Sequence, residues 1–167
     1  PVNLDLVYNT NDVILNNETF FSKGYRLNLE QVIKDVTVGN SNYLEYLDED
    51  GTLHYFVKEE NSNKYRDEDG LNLTIEKNDT VCTIEDIDGN KMIFTKIANI
   101  YRLTQITDID NNSINITLNN NNSINKITDK TWATLKPPSI NESVLNDSIK
   151  NLAILYQTKY IPVSCRV

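Results

Sequence analysis

The sequence of 167 residues contains few of the residue types that build disulfide frameworks, metal sites and common active sites. It has two cysteines, one histidine, one tryptophan and one methionine. Two cysteines do not make a disulfide framework, and a single histidine leaves no zinc-ligand spacing. No Ser or Cys stands in a recognisable nucleophile setting, so we expect His54 to be a strand residue on an exposed face rather than a general base. We therefore predict a protein that is not an enzyme and needs no cofactor.

Basic clusters and long apolar runs are also missing. The chain has 16 Lys and Arg against 24 Asp and Glu, which gives a formal net charge of −8. Nucleic acids and anionic membranes attract cationic surfaces, so neither is an expected partner. No apolar run approaches the roughly 18 residues of a membrane span, and no signal peptide heads the chain. Because the chain begins at Pro1 rather than at a methionine, we expect it to be cut from a longer precursor.

What the sequence does contain is a short acidic signal that recurs at nearly even intervals. Its third positions are spaced by 19, 19 and 22 residues, and an apolar residue follows its last position by five. A fixed period of about 20 residues indicates a repeat array. A further, weaker copy begins at Asp129. The four full copies are Asp48-Glu-Asp50-Gly51, Asp67-Glu-Asp69-Gly70, Asp86-Ile-Asp88-Gly89 and Asp108-Ile-Asp110-Asn111, and their following apolar residues are Phe56, Ile75, Phe94 and Ile116.

Each repeat predicts two strands joined by turns. Asp-Gly and its relatives supply the positive φ of tight hairpin turns, and the flanking runs are rich in the β-branched and aromatic residues that suit strands. One of these runs alternates Leu53, Tyr55 and Val57 with Thr52, His54 and Phe56. Asn-rich turns lie between the acidic ones, and Asn accounts for 25 residues. We therefore expect an all-β fold, an antiparallel meander of repeated hairpins with the acidic turns at one edge and the Asn-rich turns at the other.

The pattern divides the chain into a β-repeat domain over residues 1–130 and a tail over residues 131–167. Within the first part, residues 1–45 are lead-in strands and residues 46–130 are the repeats. In the tail, Ser139 to Glu142 has the form of a capping box and apolar residues follow at helical spacing, which predicts a helix over roughly residues 140–156. The stretch from Tyr160 to Cys165 is compatible with a final edge strand, since Pro162 has no N–H for an inner ladder.

The acidic turns resemble part of a calcium-binding loop. A full loop needs an oxygen ligand two residues before the first aspartate and a bidentate glutamate six residues after the glycine. Only the second copy offers that glutamate, so the calcium alternative is limited to Asp67, Asp69 and Glu76. Neighbouring turns would stand two strand spacings apart, roughly 10 Å, which is too far to share one ion easily. We therefore interpret the twelve Asp, Gly and Asn residues at the first, third and fourth positions of the four acidic copies as structural turns.

Tyrosines recur along the predicted sheet, and one cysteine lies within it. Such rings usually pack in the core or across strands, but exposed rings also bind carbohydrate, so a glycan-binding, adhesin-like module is the alternative function. Cys82 follows Val81 in a predicted strand and is expected to be a small core residue. The sequence leaves open whether Cys165 is free or paired. The tyrosines are Tyr43, Tyr46, Tyr55, Tyr65 and Tyr101.

The lead-in and the repeats together resemble the repeat region of Rhs/YD-repeat proteins over about residues 2–130. Residues 6–10 (LVYNT) and 22–29 (SKGYRLNL) are similar to the paired strands that open that region. Residues 46–56 and 103–114 are similar to the family's repeats, which carry Asp and Gly at matching positions. Tyr25 stands where the family usually has Trp, and Asn111 stands where it has Gly.

The resemblance implies a large secreted or wall-associated bacterial protein whose repeats coil into a hollow β-shell, which in some relatives encloses a C-terminal toxin domain. On this basis we expect a curved open sheet, a non-enzymatic structural role and an extracellular or cell-wall location. The expected partners are the remaining repeats of the parent chain. An open sheet leaves its outer strands unpaired, so we also expect capping by the N-terminal strand or C-terminal helix, or self-association through the sheet edges.

Overall fold

The structure is a computed structural model that describes residues 4–14, 23–129 and 163–166. The described part confirms an all-β fold with mainly antiparallel strand pairing. It also contains one short helix near the N-terminus, whereas the helix predicted over residues 140–156 lies outside the described residues. The elements in chain order are β1 (Leu4–Tyr8), α1 (Thr10–Ile14), β2 (Tyr25–Leu27), β3 (Val32–Val38), β4 (Ser41–Leu47), β5 (Leu53–Lys58), β6 (Lys64–Asp67), β7 (Thr74–Lys77), β8 (Val81–Glu85), β9 (Lys91–Ile97), β10 (Ile100–Thr107), β11 (Ser113–Leu118), β12 (Ile124–Asp129) and β13 (Val163–Arg166).

The chain divides into two compact units. The first contains a three-stranded sheet in the order β13-β1-β2, in which β13 is parallel to β1 and β2 is antiparallel to it. Residues Glu49–Gly51 belong to this unit as well. A buried ion pair joins α1 to β2: the Arg26 guanidinium donates to both carboxylate oxygens of Asp12 at 2.7 Å. The apolar residues buried in this unit include Leu4, Leu6, Val7, Leu27 and Leu29.

The second unit is a closed barrel, so the predicted open, curved meander is wrong. Strands β3 to β10 pair in sequence order, each antiparallel to the next. In addition, β10 pairs with β3 through Ile100 with Lys34, Tyr101 with Ile33, and Arg102 with Val32. These eight strands therefore form a ring. Closure pairs the edge of β3 with the edge of β10, which an open sheet would leave unpaired. One face of each of the eight strands then faces a shared interior.

Strand β10 is the longest strand of the barrel, and its length allows it to pair both within the ring and with a strand outside it. Along one side it pairs with β9, and on its other side Ile100–Arg102 pair with β3 while Gln105–Thr107 pair with β11. The register of β9 and β10 shifts between Leu103 and Gln105. The 22-residue spacing between the third and fourth acidic copies reflects these longer strands. The hairpin of β11 and β12 continues from β10 outside the ring of eight strands.

Side chains fill the barrel interior, as expected for eight strands. The apolar residues that follow the first three acidic copies are fully buried in this interior: Phe56, Ile75 and Phe94 are each 0% exposed. The Tyr46 ring packs edge-on against Phe56 and Phe94, with centroids 6.2 and 6.0 Å apart. The fourth repeated residue, Ile116, is buried on β11. Other buried side chains of the eight strands include Ile33, Leu44, Tyr65, Cys82, Ile84, Tyr101 and Leu103.

Strand β5 is unusual because its more apolar face is the outer one. Leu53, Tyr55 and Val57 are 36–39% exposed, whereas His54 is 8% exposed and Phe56 is fully buried. The sequence shows the alternation but not which set lies inside. Alternate residues of a strand lie on the same face. Because Phe56 lies on the inward face, His54, two residues before it, lies there too.

Candidate functional site: the acidic turns and His54

The acidic copies lie in connections that share one end of the barrel. Consecutive strands are antiparallel, so the connections β4–β5, β6–β7, β8–β9 and β10–β11 all leave the same end. We call this the acidic end and define it by the leading aspartates Asp48, Asp67, Asp86 and Asp108. The last position of every copy has positive φ, with values of 85°, 78° and 88° for the three glycines and 64° for Asn111.

The leading aspartate of every copy accepts a hydrogen bond from the backbone N–H four residues later. The donors and distances are Thr52 at 2.8 Å for Asp48, Leu71 at 2.5 Å for Asp67, Asn90 at 2.9 Å for Asp86 and Asn112 at 2.8 Å for Asp108. In the third and fourth copies, the side-chain amide of the Asn at this position also donates to the carboxylate, at 2.8 Å in each case. The carboxylates therefore fix the backbone of their own turns.

These hydrogen bonds favour the ionised carboxylates. Partial burial of Asp86 opposes ionisation, but the bonds from Asn90 and from the N–H of Asp88 hold its pKa below the ordinary 3.8. The side chain and backbone of Asn112 lower the pKa of Asp108 in the same way. The side-chain Oδ1 of Asn90, which directly follows the third copy, accepts a hydrogen bond from the N–H of Ile109 in the fourth copy at 3.3 Å.

The third positions of the copies differ from one another. In the first, the Asn9 side chain donates to the carbonyl oxygens of Asp50 and Gly51, at 3.1 and 3.0 Å. In the second, the Asp69 carboxylate contacts His54. The carboxylates of Asp88 and Asp110 belong to exposed residues. The Asp69 side chain is therefore joined to a residue on the inward face of β5.

His54 lies between two aspartates at the acidic end. Its Nε2 is 2.9 Å from Asp48 Oδ2, and its Nδ1 is 3.1 Å from Asp69 Oδ2. The ring packs against Tyr46 with centroids 6.1 Å apart, and the Tyr46 hydroxyl donates to Gln31 Oε1 at 2.6 Å. We name His54 with its two aspartates the His54 clasp. The expectation of an exposed His54 is wrong, because the residue shares the inward face of Phe56.

The two carboxylates govern the charge of this histidine. Burial alone lowers the pKa of His54, but the hydrogen bonds and negative charges of Asp48 and Asp69 outweigh it and raise the pKa above 6.5. The protonated ring is thereby favoured. A histidine must be neutral to act as a general base. Because Asp48 and Asp69 stabilise the protonated ring, this arrangement disfavours that role for His54.

The residues of the calcium alternative are not brought together. Asp67 accepts hydrogen bonds from the N–H groups of Leu71 and Leu73, while Asp69 contacts His54. Glu76 instead accepts from Asn63 at 2.9 Å. Within the residues that the structure describes, no group of three or more His, Cys, Asp or Glu side chains is placed to hold a metal ion.

Most of the tyrosines that could form a glycan platform are inside the protein. Tyr46, Tyr65 and Tyr101 are 4%, 8% and 0% exposed, and Tyr43 is half-buried. Tyr55 remains exposed at 39%. Cys82 is a fully buried core residue, as predicted, and burial raises the pKa of its thiol to about 12.

Comparisons with known proteins identified no relative of this chain. No protein-family model matches the chain, and a search of curated proteins found no similar protein. Among the residues that the structure describes, no helix has the length and apolar character needed to cross a membrane.

Proposed function

We propose that this chain is a non-enzymatic structural module whose acidic turns hold together the strand connections of a closed barrel. One observation carries the proposal: in all four copies, the leading carboxylate accepts a hydrogen bond from the backbone N–H four residues later. A carboxylate engaged in this way stabilises a turn. The period of the sequence thus has a structural cause in every copy.

The interior of the barrel supports the same proposal. Phe56, Ile75 and Phe94 are fully buried, and the aromatic contacts of Tyr46 join two of them. An interior occupied by its own side chains contributes stability rather than a binding cavity. The proposal therefore assigns the barrel the role of a rigid support.

The resemblance to Rhs/YD-repeat proteins supports a setting for this module within a large bacterial surface or secreted protein. In this proposal its partners are further segments of the parent chain. The shell geometry is not part of the proposal, because a ring closed by the pairing of Tyr101 with Ile33 cannot be a section of a continuous curved sheet.

A pair of variants in one turn tests the structural role. Asp86→Ala removes three hydrogen bonds, and Asp88→Ala removes the same charge two residues later at an exposed position. We expect Asp86→Ala to lower the free energy of unfolding by about 1–2 kcal/mol and Asp88→Ala by less than about 0.5 kcal/mol in urea titrations. Equal, small effects would contradict a structural role for the leading aspartate.

Ligand titrations test the competing functions. A structural module shows no change in Tm with millimolar calcium, whereas a ligand that binds only the folded state raises Tm. The glycan alternative now depends on Tyr55, whose hydroxyl donates to Glu45 at 3.4 Å and which shares the outer face of β5 with Leu53 and Val57. A glycan array with binding that is lost in Tyr55→Ala would favour that alternative over the structural role.

A further inference from the structure

We propose that His54 is a pH-operated clasp: when protonated on both ring nitrogens it joins Asp48, at the end of β4, to Asp69, in the β6–β7 turn, and when it loses one proton it releases Asp69. The β6–β7 hairpin then opens locally as the pH rises. This regulatory role goes beyond the structural function proposed above and does not depend on it.

The two contacts of the ring require the charged form. A neutral imidazole has one N–H donor and one lone pair, whereas the imidazolium has two donors. Both nitrogens face a carboxylate oxygen, at 2.9 Å for Asp48 and 3.1 Å for Asp69. In the neutral ring, one lone pair would face a negatively charged oxygen, and that contact would become repulsive. The arrangement is therefore complete only while His54 carries its second proton.

Asp69 is the partner that is released. The Asp48 side chain is 21% exposed and is held on its other oxygen by the N–H of Thr52. The Asp69 side chain is 48% exposed and makes the longer contact. On deprotonation, Nε2 keeps its proton for Asp48, Nδ1 gives its proton to solvent, and water replaces the ring at the Asp69 carboxylate. The pH change therefore acts on the β6–β7 turn.

The charged groups that contact the His54 ring all favour its protonated form. Strand β4 presents Tyr46, the β4–β5 connection presents Asp48, and the β6–β7 turn presents Asp69. The Tyr46 hydroxyl donates to Gln31. The net effect raises the pKa of His54 above 6.5, so the ring keeps its second proton to a higher pH than an unperturbed imidazole does.

The clasp acts on the shortest strands of the barrel. Strands β6 and β7 have four residues each, and each of the pairings β5–β6 and β6–β7 joins three residue pairs. By contrast, β3 and β4 share seven pairs. Local opening begins where a segment has the fewest stabilising contacts. Removing the Asp69 contact therefore affects the hairpin most easily opened, in which Tyr65 and Ile75 are buried.

Two measurements on the intact chain test the proposal. His54 is the sole histidine, so its imidazole proton signal in NMR reports its pKa without assignment ambiguity. Hydrogen exchange of the β6–β7 amides, corrected for intrinsic rates, reports the opening equilibrium of the hairpin. We expect the opening constant to rise with pH by about tenfold for each unit by which the Asp69 contact raises the His54 pKa, a difference that the Asp69→Asn variant measures, while β9 amides stay unchanged.

Matched variants separate the clasp from a general charge effect. Asp69→Asn removes the charge beside Nδ1, and Asp88→Asn makes the same change at the same position of the next copy. We expect Asp69→Asn to lower the His54 pKa and to abolish the pH dependence of β6–β7 exchange, and Asp88→Asn to preserve both. The proposal is overturned if wild-type His54 titrates at or below 6.5, or if Asp69→Asn retains the pH dependence. The wild-type measurements decide the question even if a variant does not fold.

Discussion

Tyr101 on β10 and Ile33 on β3 are backbone partners across the pairing that closes the barrel, and both are 0% exposed. The Tyr101 hydroxyl donates to the carbonyl oxygen of Asn78 at 3.1 Å. The ammonium groups of Lys77 and Lys96 lie 5.7 and 5.2 Å from the ring centroid. The closing pair is thus enclosed by aliphatic, polar and cationic contacts, which stabilise a non-local strand pairing.

Adjacent residues of β5 provide a direct test of the strand register. Phe56 is fully buried, and its neighbour Val57 is 36% exposed. We expect Phe56→Ala to lower the free energy of unfolding by about 3–5 kcal/mol, because it removes a core ring and leaves a cavity. Val57→Ala is the control and should cost less than about 1 kcal/mol. Urea unfolding measures both, and a larger loss for Val57→Ala would reverse the assignment of the two faces.

Two glycines in equivalent turns differ in what surrounds them. Both have positive φ, 85° for Gly51 and 78° for Gly70. A Cβ on Gly51 would lie 2.6 Å from Asn9 Nδ2, whereas a Cβ on Gly70 would meet no atom within 4 Å. We expect Gly70→Ala to cost about 1 kcal/mol from backbone strain alone, and Gly51→Ala about 2–3 kcal/mol because Asn9 must also move and lose its hydrogen bonds. Equal losses in thermal or urea unfolding would show that the Asn9 contact contributes nothing.

The free energy of unfolding should rise with pH under acidic conditions, pass through a maximum, and fall with pH under alkaline conditions. The pKa of His54 is raised on folding, so its contribution is fully present below pH 6.5 and is lost as the pH rises through the folded-state value. The pKa of Asp86 is lowered, so its contribution is present above pH 3.8 and is lost as the pH falls through the folded-state value. Urea unfolding across this range should show a maximum between the two transitions. The variant His54→Gln should lose the decline on the alkaline side, and an unchanged decline would assign it to another group.

The repeat predicts much of the fold because local chemistry specifies it. Asp-x-Asp-Gly turns need positive φ at their last residue, and the structure has it there in every copy. The residues five positions later, such as Phe56 and Phe94, are buried. Strand β3 has the bounds that the alternation of Val32 to Val38 suggests. Turns and strand periodicity depend on neighbours in the sequence, so the sequence alone reveals them.

Closure of the barrel has no comparable local signal. The pairing of Ile33 with Tyr101 joins residues separated by six intervening strands, and it depends on the accumulated twist and coil of the sheet. A meander of hairpins with the same turns is compatible with an open sheet or a ring. The longer spacing before Asp110 was the one visible sign of a longer β10, and length alone does not name its partner.

The His54 clasp was predictable in part. His54 lies two residues before Phe56, so the repeated core position places it on the inward face. The alternate residues Leu53, Tyr55 and Val57 are more apolar and favour the opposite assignment of the two faces, which predicts an exposed histidine. Its two partners come from different turns, Asp48 six residues before it and Asp69 fifteen residues after it. Only the shared end of antiparallel connections brings them together.

The central claim is that β3 and β10 close the barrel, and backbone NOEs in a ¹³C,¹⁵N-labelled sample test it most directly. The account predicts interstrand NOEs between Ile33 and Tyr101 and between their neighbours in the register, together with slow exchange of the amides engaged in that pairing. NOEs that connect β3 only to β4 and β10 only to β9 and β11 would contradict the account and restore the open meander.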